Sequence, residues 1–553
     1  MPSSSNPARR VPPSFKFTDD ANDDGAAGTG PSTSTLPALF PSAHFLAQSP
    51  LTPPAHPPSA PAPSPPLAST SSLNWIDSAR PDTSSVAAAD FDVSVETGFL
   101  PPAEPVRSLA SLGNGWDDAE RCLEAAKREV EALEGGGVGK LSETFRVSVR
   151  SLPLADTSLL TTLPLLRRAH TLLAHLTHFY MHSSFPSQTT VPRSLAVPLV
   201  HVSDLLGLPP ILTYADTVLW VWHLIDPSLP LRADNVDIST TFTGSSSERA
   251  FFLLSLYCEL YGPKILRLMS ATLDESFFAD AVASTRIATY LVRIAHYVDE
   301  LRTLLHDAVK GAFGPGGRDK IVPEVFYWEI RPWFNGGRWV YEGVGPRGED
   351  VEMEWGGPSA GQSSLVHAID LFLGIDHAPR HPPSLESSAK PKSTLSDSTF
   401  MERMSTYMPH HHRSFLQHLT SVHSTPSTPT RSPSTLPSVR SLAQSNPSLR
   451  PAYDAAVAAM KRFRDTHIVL ATHFIVQQAR HAPKEGSVHW AEWEAKRLAK
   501  ENERLVRDRE RAEGRSAEKE VIAGTGGTDL SVFLKMCRDR TREALIEPSA
   551  SSS

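Results

Sequence analysis

The sequence predicts an all-α fold, and three observations support this prediction. Apolar residues recur at spacings of three and four along much of the chain between residues 117 and 480, which is the period of a helix with one buried face. No run of alternating apolar and polar residues indicates a sheet. Proline is concentrated at the N-terminus, where 16 of the 48 prolines fall within residues 1–70. The helical core is therefore expected to follow this segment.

The predicted helices, in chain order, cover residues 117–133, 154–180, 198–225, 248–269, 281–309, 363–374 and 453–480. The first is amphipathic and ends at a run of three glycines. Pro164 and Pro198 are expected to mark helix starts or turns in the two Leu-rich segments that follow. The helix over 248–269 is apolar nearly all round, which predicts that it is buried.

Other segments are predicted to lie outside the folded core. Residues 1–85 are rich in Pro, Ser and Ala and offer little apolar surface to bury, so we expect a disordered head. The Ser/Pro-rich residues 421–451 are expected to form a disordered loop inserted between helices. Residues 490–519 are highly charged and predict a solvated surface helix, and a short disordered tail is expected at 546–553.

Composition and charge exclude whole classes of protein. The formal net charge is −8, which gives no reason to expect nucleic acid as a partner. The three cysteines, Cys122, Cys258 and Cys537, can build neither a disulfide framework nor a four-thiolate zinc site, so a reducing compartment fits best. The N-terminus lacks a signal-peptide core, and the apolar run at 211–226 contains Asp216 and is too short to cross a membrane. We therefore expect a cytoplasmic protein without a membrane segment.

Two short motifs are better explained by structure than by chemistry. The GGGVGK run at residues 135–140 lacks the first Gly and the final Ser or Thr of a phosphate loop, and it follows a helix, so it is interpreted as a helix stop. His175, His178 and His182 share a helical face at spacings that could hold a metal. No carboxylate or thiolate accompanies them, so a structural role is favoured.

His467 is the more informative histidine, because it lies in a strongly apolar helix. A buried histidine needs a hydrogen-bond partner or a metal, and on local grounds a satisfied core residue is the more frequent case, with haem ligation the alternative. Asp370 also lies in an apolar helix, where a buried carboxylate requires a cationic partner. Arg464, three residues before His467, is the natural partner.

Three further features carry possible function. Phe251 and Ser255 lie four residues apart on one helix face, although core packing alone could explain them. Arg331 directly precedes Pro332, which can release it from a helix end, although a surface arginine is the alternative. The glycine-rich residues 524–530 could form a mobile lid or an ordinary linker.

Ten segments in the same order resemble the indoleamine 2,3-dioxygenase family, over about residues 95–545. They are TGFLPP (97–102), PRSLAVP (192–198), LPPILTYAD (208–216), AFFLLSL (250–256), FYWEIRPW (326–333), GGPSAGQSS (356–364), DLFLGI (370–375), YMPHHHRSFL (407–416), AYDAAVAAMKRFRDTHIV (452–469) and GTGGTDLSVFLK (524–535). The resemblance implies an all-helical fold in which a small domain, residues 86–242, caps a larger haem-binding domain, residues 243–545. Within the larger domain, residues 485–528 would hold the charged helix and the lid loop.

The resemblance also implies a haem site. His467 matches the proximal haem ligand and is thus the expected metal ligand, leaving the opposite face of the iron open for O2. Arg464 matches the arginine that pairs with a haem propionate, and Asp370 matches its carboxylate partner. Ser359 and Ala360 match the loop that passes over the haem.

On the open side of the haem, the resemblance implies a substrate pocket. The expected pocket residues are Tyr214, Phe251 and Phe326 around the indole, Ser255 near the bound oxygen, Arg331 on the substrate carboxylate and Thr525 in the lid. Arg331, Ser255 and Phe326 are the expected catalytic residues. An aromatic slot suits an indole, and a bidentate guanidinium suits the carboxylate of a free amino acid.

The activity implied by the resemblance is the opening of the indole pyrrole ring of L-tryptophan, or a related indoleamine, by O2. Ferrous haem b would be the cofactor, an unidentified reductant would keep it reduced, and the product would be N-formylkynurenine, on the kynurenine pathway towards NAD. We expect a monomer. The alternative is a haemoprotein on the same fold that binds or senses O2 without turnover, for which Arg331 and the lid would be superfluous.

Overall fold

The computed structural model describes residues 88–94, 96–278, 280–377, 400–423, 437–485 and 530–546, together with short stretches between 487 and 498. Most of these residues are helical, which confirms the predicted all-α class. The helices are α1 (Trp116–Glu131), α2 (Glu143–Arg150), α3 (Leu163–Met181), α4 (Arg193–Leu206), α5 (Ser246–Glu259), α6 (Gly262–Ser276), α7 (Ala281–Lys310), α8 (Pro323–Val325), α9 (Ser364–Leu373), α10 (Phe400–Ser405), α11 (His410–His423), α12 (Val439–Ser445), α13 (Arg450–Ala471) and α14 (Leu530–Glu543). Among them, none combines the length and the apolar character that a membrane crossing requires.

Five short strands accompany the helices and were not predicted. They are β1 (Thr190–Val191), β2 (Trp222–Leu224), β3 (Val236–Ile238), β4 (Gly337–Tyr341) and β5 (Val351–Trp355). In one sheet β1 pairs parallel to β4, which pairs antiparallel to β5, while β2 and β3 form a separate antiparallel pair. Strands of two to five residues are too short to show a clear alternation of polar and apolar positions.

Buried apolar side chains form two clusters. The first is built by α1–α5 together with the segment from Phe326 to Tyr341, and its largest buried side chains include Trp116 and Trp333. The second is built mainly by α6, α7, α9, α11 and α13, where the two longest helices, α7 and α13, pack against each other. The first cluster draws on residues from both sides of position 242, so the predicted domain boundary there stays a prediction.

Several helix boundaries differ from the sequence prediction. Pro198 lies inside α4, and the prediction that it starts a helix is wrong: the helix begins at Arg193, after Pro192 in extended backbone. The helix predicted over 154–180 begins only at Leu163. The single buried helix predicted over 248–269 is instead two helices, α5 and α6, which are separated at Leu260 and Tyr261.

The prediction of a disordered loop over residues 421–451 is wrong for part of this segment, which is helical. Ser438 caps α12 by accepting a hydrogen bond from the Ser441 N–H, and Val439 and Ala443 are buried. These two apolar side chains lie four residues apart and therefore form one apolar face, which packs into the second cluster of buried side chains. Residues 424–436 lie outside the described residues, as do the predicted head, residues 524–529 of the predicted lid and residues 547–553 of the tail predicted over 546–553.

Candidate active site

His467 lies on α13, surrounded by protein, yet its ring keeps some accessible surface. Burial, with a smaller contribution from the Arg464 cation, lowers the pKa of His467 to about 4, so the imidazole is neutral at physiological pH. Within the described part of the chain, the ring makes no hydrogen bond. A neutral imidazole with a free ring nitrogen can serve as a ligand of a metal or a haem iron.

The predicted partnership of Asp370 and Arg464 is present in the structure. Arg464 Nη2 donates to Asp370 Oδ2 at 2.5 Å, and both side chains are buried. Burial raises the pKa of Asp370, but Arg464, together with a hydrogen bond from His377 Nε2 at 2.9 Å, outweighs that effect and holds the pKa below its ordinary value. Arg464 Nη1 also donates to Thr541 Oγ1 on α14. A fixed cation is thus placed one helical turn from His467.

One face of α5 is partly exposed over residues 251–258. Phe251, Ser255 and Cys258 each keep some accessible surface, whereas the residues between them are buried. Their spacings of four and three put them on one side of the helix. Phe251 and Ser255, which the resemblance groups in one pocket, therefore lie on the same partly exposed face.

Aromatic rings connect this face of α5 to the helix of His467. The ring centroids of Phe251 and Phe326 are 4.7 Å apart, and those of Phe326 and Phe474 are 5.9 Å apart in an edge-on arrangement. Phe474 lies in Thr472–Val476, which directly follows α13. The chain therefore brings two predicted pocket residues, Phe251 and Phe326, together with the end of the helix that carries His467.

Arg331 lies at a change of helical type. Residues Phe326–Ile330 form a single π-helical turn, and Arg331–Phe334 form a 3₁₀ turn with Pro332 in second position. Such π turns are frequent at functional sites. The guanidinium carbon lies 5.6 Å from the centre of the Tyr327 ring, and burial lowers the pKa of Arg331 below its usual range. Arg331 keeps helical backbone angles (φ −55°, ψ −36°), and the helical backbone runs on through Pro332 to Phe334, so the prediction that Pro332 releases Arg331 from a helix end is wrong. The guanidinium is an embedded cation, which suits an anionic group.

Tyr214 is fixed at both ends of the residue. Its hydroxyl donates to Glu259 Oε1 at 2.9 Å, and its backbone N–H donates to Gln362 Oε1 at 2.8 Å. Ser363 Oγ donates to the same Glu259 oxygen at 2.7 Å. Burial raises the pKa of Glu259 to about 7, although these two hydrogen bonds oppose the shift. The Tyr214 ring is therefore held rigidly, as a pocket wall requires.

The loop that contains Ser359 and Ala360 is held against the turn after Arg331. A Cβ on Gly357 would lie 1.7 Å from the Phe334 carbonyl oxygen, so only glycine permits this close approach. Gln362 Nε2 donates to the Gly357 carbonyl, and Ser359 Oγ accepts from the Gly361 N–H. Ser359 is partly exposed and Ala360 is exposed. Their predicted contact with haem stays a prediction, and the position of Thr525 lies outside the described residues.

The two motifs interpreted as structural behave as such. Residues Glu134–Gly136 form a short turn after α1, in keeping with a helix stop. His175 and His178 pair through Nδ1 with the carbonyls of Thr171 and Trp333, and His182 pairs through Nε2 with that of Asn335. No group of residues suited to holding a metal ion occurs among the described residues.

Four residues of the site were missed by sequence reasoning: Glu259, Gln362, His377 and Thr541. Glu259 ends the apolar helix α5, so the argument that singled out Asp370, a carboxylate in an apolar helix, could have found it. Gln362 and Thr541 carry no local sequence signal, because their partners lie 148 and 77 positions away along the chain. His377 lies only seven positions after Asp370, but beyond the end of α9, where the helical period no longer shows which residues meet.

Comparison with known proteins identifies the family. A family model described as indoleamine 2,3-dioxygenase matches residues 87–544. Indoleamine 2,3-dioxygenase acdA of Aspergillus candidus is 28% identical over 478 residues, which cover 83% of this chain and 98% of the relative. Indoleamine 2,3-dioxygenase 2 of Mus musculus is 29% identical over 472 residues, with 83% and 96% covered. A 6-hydroxytryptophan 2,3-dioxygenase, fscD of Fusarium equiseti, is 28% identical over 470 residues, with 82% and 97% covered. The chain therefore belongs to the indoleamine 2,3-dioxygenase family, whose members are haem-dependent dioxygenases of tryptophan-like substrates.

Proposed function

We propose that this protein opens the indole ring of tryptophan, or of a closely related indoleamine, with O2 to give N-formylkynurenine, at the start of the kynurenine pathway towards NAD. The cofactor is haem b, ferrous in the active state. The observation that carries the proposal is His467: an embedded, neutral imidazole without a hydrogen-bond partner in the described part of the chain. An axial ligand requires this state, whereas a core histidine requires a partner.

The residues present fit a haem. His467 would bind the iron, and Arg464, whose orientation Asp370 and Thr541 fix, would pair with a propionate. Ser359 and Ala360, in the loop held against the turn after Arg331, would border the macrocycle. Bound haem would supply the activation of O2, and the protein supplies binding and orientation.

The partly exposed face of α5 suits an amino acid with an indole side chain. Phe251 and Phe326 provide an aromatic wall, with Tyr214 held by Glu259 as a further ring. Burying the indole there is worth about 2–3 kcal/mol. Arg331 binds the substrate carboxylate, because its guanidinium fork matches the two carboxylate oxygens, and Thr525 contributes from the lid.

Orientation and exclusion of water are the main catalytic tasks of the side chains in this proposal. Both oxygen atoms enter the product, so no residue has to deliver protons to cleave off water. Ser255, one turn from Phe251, offers a hydroxyl to the oxygen or to the substrate, while Phe326 and Arg331 hold the two ends of the substrate. Arg331 also separates an enzyme from a carrier or sensor of O2, since a guanidinium placed for a carboxylate serves an amino-acid substrate and is superfluous for binding a gas.

The test is turnover by the purified full-length protein. After titration with haem and anaerobic reduction, addition of tryptophan and O2 should produce the near-ultraviolet absorbance of N-formylkynurenine, with one O2 consumed per product. 6-Hydroxytryptophan, the substrate in the name of one relative, is assayed in parallel. A protein that binds haem and O2 but converts neither compound would be an O2-binding haemoprotein, and the proposal would be wrong.

A further inference from the structure

Two different elements hold the guanidinium of Arg464. Nη2 donates to Asp370 Oδ2 on α9, and Nη1 donates to Thr541 Oγ1 on α14, each at 2.5 Å. One hydrogen bond would leave the planar group free to pivot about that bond. Two bonds from different terminal nitrogens fix both its position and its plane. The orientation of Arg464 therefore depends on the C-terminal helix as well as on Asp370.

Thr541 is itself held in the orientation that this contact needs. Its side chain is fully buried, and its hydroxyl donates to the Cys537 carbonyl at 2.8 Å. Because a hydroxyl has a single hydrogen, which Cys537 takes up, Thr541 Oγ1 can offer Arg464 only its lone pairs. The contact is thus a neutral acceptor presented to a buried cation, and it adds no second negative charge beside Asp370.

Contacts other than that of Thr541 dock the end of α14. The Ile546 N–H donates to Asp454 Oδ1 at 3.0 Å, and the Tyr453 hydroxyl on α13, which donates to the Leu373 carbonyl at 2.7 Å, lies 3.2 Å from the Ala544 carbonyl. Arg440 Nη2 donates to the Glu543 carbonyl at 3.2 Å. Removal of the Thr541 hydroxyl should therefore leave the helix in place, and its consequence should be confined to Arg464.

We propose that Thr541 is a positioning residue of the haem site, which holds Arg464 in the orientation that binds a haem carboxylate. The C-terminal helix is then part of the cofactor site, although none of its residues has to touch the cofactor. This inference rests on the proposed function, in which Arg464 pairs with a propionate.

The test measures the rate of haem loss from the holoprotein to an excess of apomyoglobin. Thr541→Val removes the hydroxyl at nearly constant volume, and Thr541→Ala is a second hydroxyl-free variant should valine not fit. Both should release haem about tenfold faster than the wild type, the size of effect typical of residues that support a metal-site ligand. Thr541→Ser keeps the hydroxyl and should restore the wild-type rate.

Thr272 on α6 provides a matched control. It is also fully buried, and its hydroxyl donates to the carbonyl four residues earlier, Leu268, at 2.7 Å. Thr272→Val removes the same group from the same local setting in a different helix. It should leave the rate of haem loss unchanged, even if its urea midpoint falls as far as that of Thr541→Val.

Three results would overturn the inference, and they can be told apart. If Arg464→Ala accelerates haem loss but the hydroxyl-free Thr541 variants do not, Thr541 has no positioning role. If Thr272→Val accelerates haem loss equally, the effect is one of general stability. If Arg464→Ala itself leaves the rate unchanged, the propionate role in the proposed function fails, and the inference fails with it.

Discussion

Removing one member of the buried Asp370–Arg464 pair should destabilise the protein far more than removing both. Asp370 is 2% exposed and Arg464 is 7% exposed, so either charge left alone would be stranded in a poorly solvated place. Breaking such a pair from one side typically costs about 3–5 kcal/mol, whereas replacing both partners with apolar residues is often close to neutral.

The structure orders the two single variants. Asp370→Leu leaves the Arg464 cation with the neutral oxygen of Thr541 alone. The loss of stability should therefore lie near the upper end of that range, about 5 kcal/mol. Arg464→Met leaves Asp370 with the hydrogen bond from His377. The loss of stability should therefore lie near the lower end of that range, about 3 kcal/mol. If the double variant loses about 2 kcal/mol or less, the coupling energy is at least about 6 kcal/mol.

The assay is urea unfolding of the haem-free protein at pH 7, followed by circular dichroism, for the four proteins of the cycle. The pH dependence gives a second check. The pKa of Asp370 lies below its ordinary value of 3.8, so its ionised form stabilises the fold above about pH 4, and this contribution is lost as the pH falls through the lowered pKa. Additive single-variant energies would refute the reasoning, and so would a stability difference between wild type and Asp370→Asn that does not depend on pH.

Three further predictions concern the pocket and the buried histidine. Arg331→Ala should keep the haem spectrum but lower kcat/KM for tryptophan by about a thousandfold, since a charged hydrogen-bonded pair is lost. Arg331→Lys should restore little of this activity, because an ammonium group cannot form the two parallel hydrogen bonds of a guanidinium. Unchanged turnover would contradict the carboxylate contact. The pKa of His467 lies at about 4, below the ordinary 6.5, so its contribution to stability is complete above pH 6.5 and is lost as the pH falls to about 4. The urea midpoint of the haem-free wild type should therefore fall over that window more than that of His467→Phe, and equal losses would be contrary to expectation. Tyr214→Phe removes a hydrogen bond to the buried Glu259, and urea unfolding should show a loss of about 1–3 kcal/mol; a neutral result would mean that this bond does not hold the ring.

The sequence alone predicted the part of the site in which a charged residue lies among apolar neighbours. Asp370 lies in an apolar helix and had to have a cation, and Arg464, three residues before His467, was named as its natural partner. Asp370 was predictable because a single residue there conflicts with its own neighbours in sequence. The same kind of local reasoning failed at Arg331, where the preceding π turn and the following 3₁₀ turn keep the backbone helical despite Pro332.

The unpredicted parts depend on partners that are distant in sequence. Thr541 is separated from Arg464 by 77 positions. A threonine in a helix with many charged residues gives no sequence signal that its side chain is buried against a distant arginine. The strands escaped prediction because pairing such as that of Thr190 with Val340 joins remote segments of a few residues each. In the same way, Val439 and Ala443 gave α12 a buried face within a Ser/Pro-rich stretch whose composition indicated disorder.

The central claim, that His467 is the haem ligand, is tested most directly by the Soret absorbance of the haem-titrated variants His467→Ala and His473→Ala. His473 lies six residues further along, partly exposed and within 3.1 Å of Gln477 Oε1, and serves as the control. We expect His467→Ala to lose the Soret band of the bound, histidine-ligated haem, and His473→Ala to keep it. A wild-type band in His467→Ala would show that another residue binds the iron and would contradict the account.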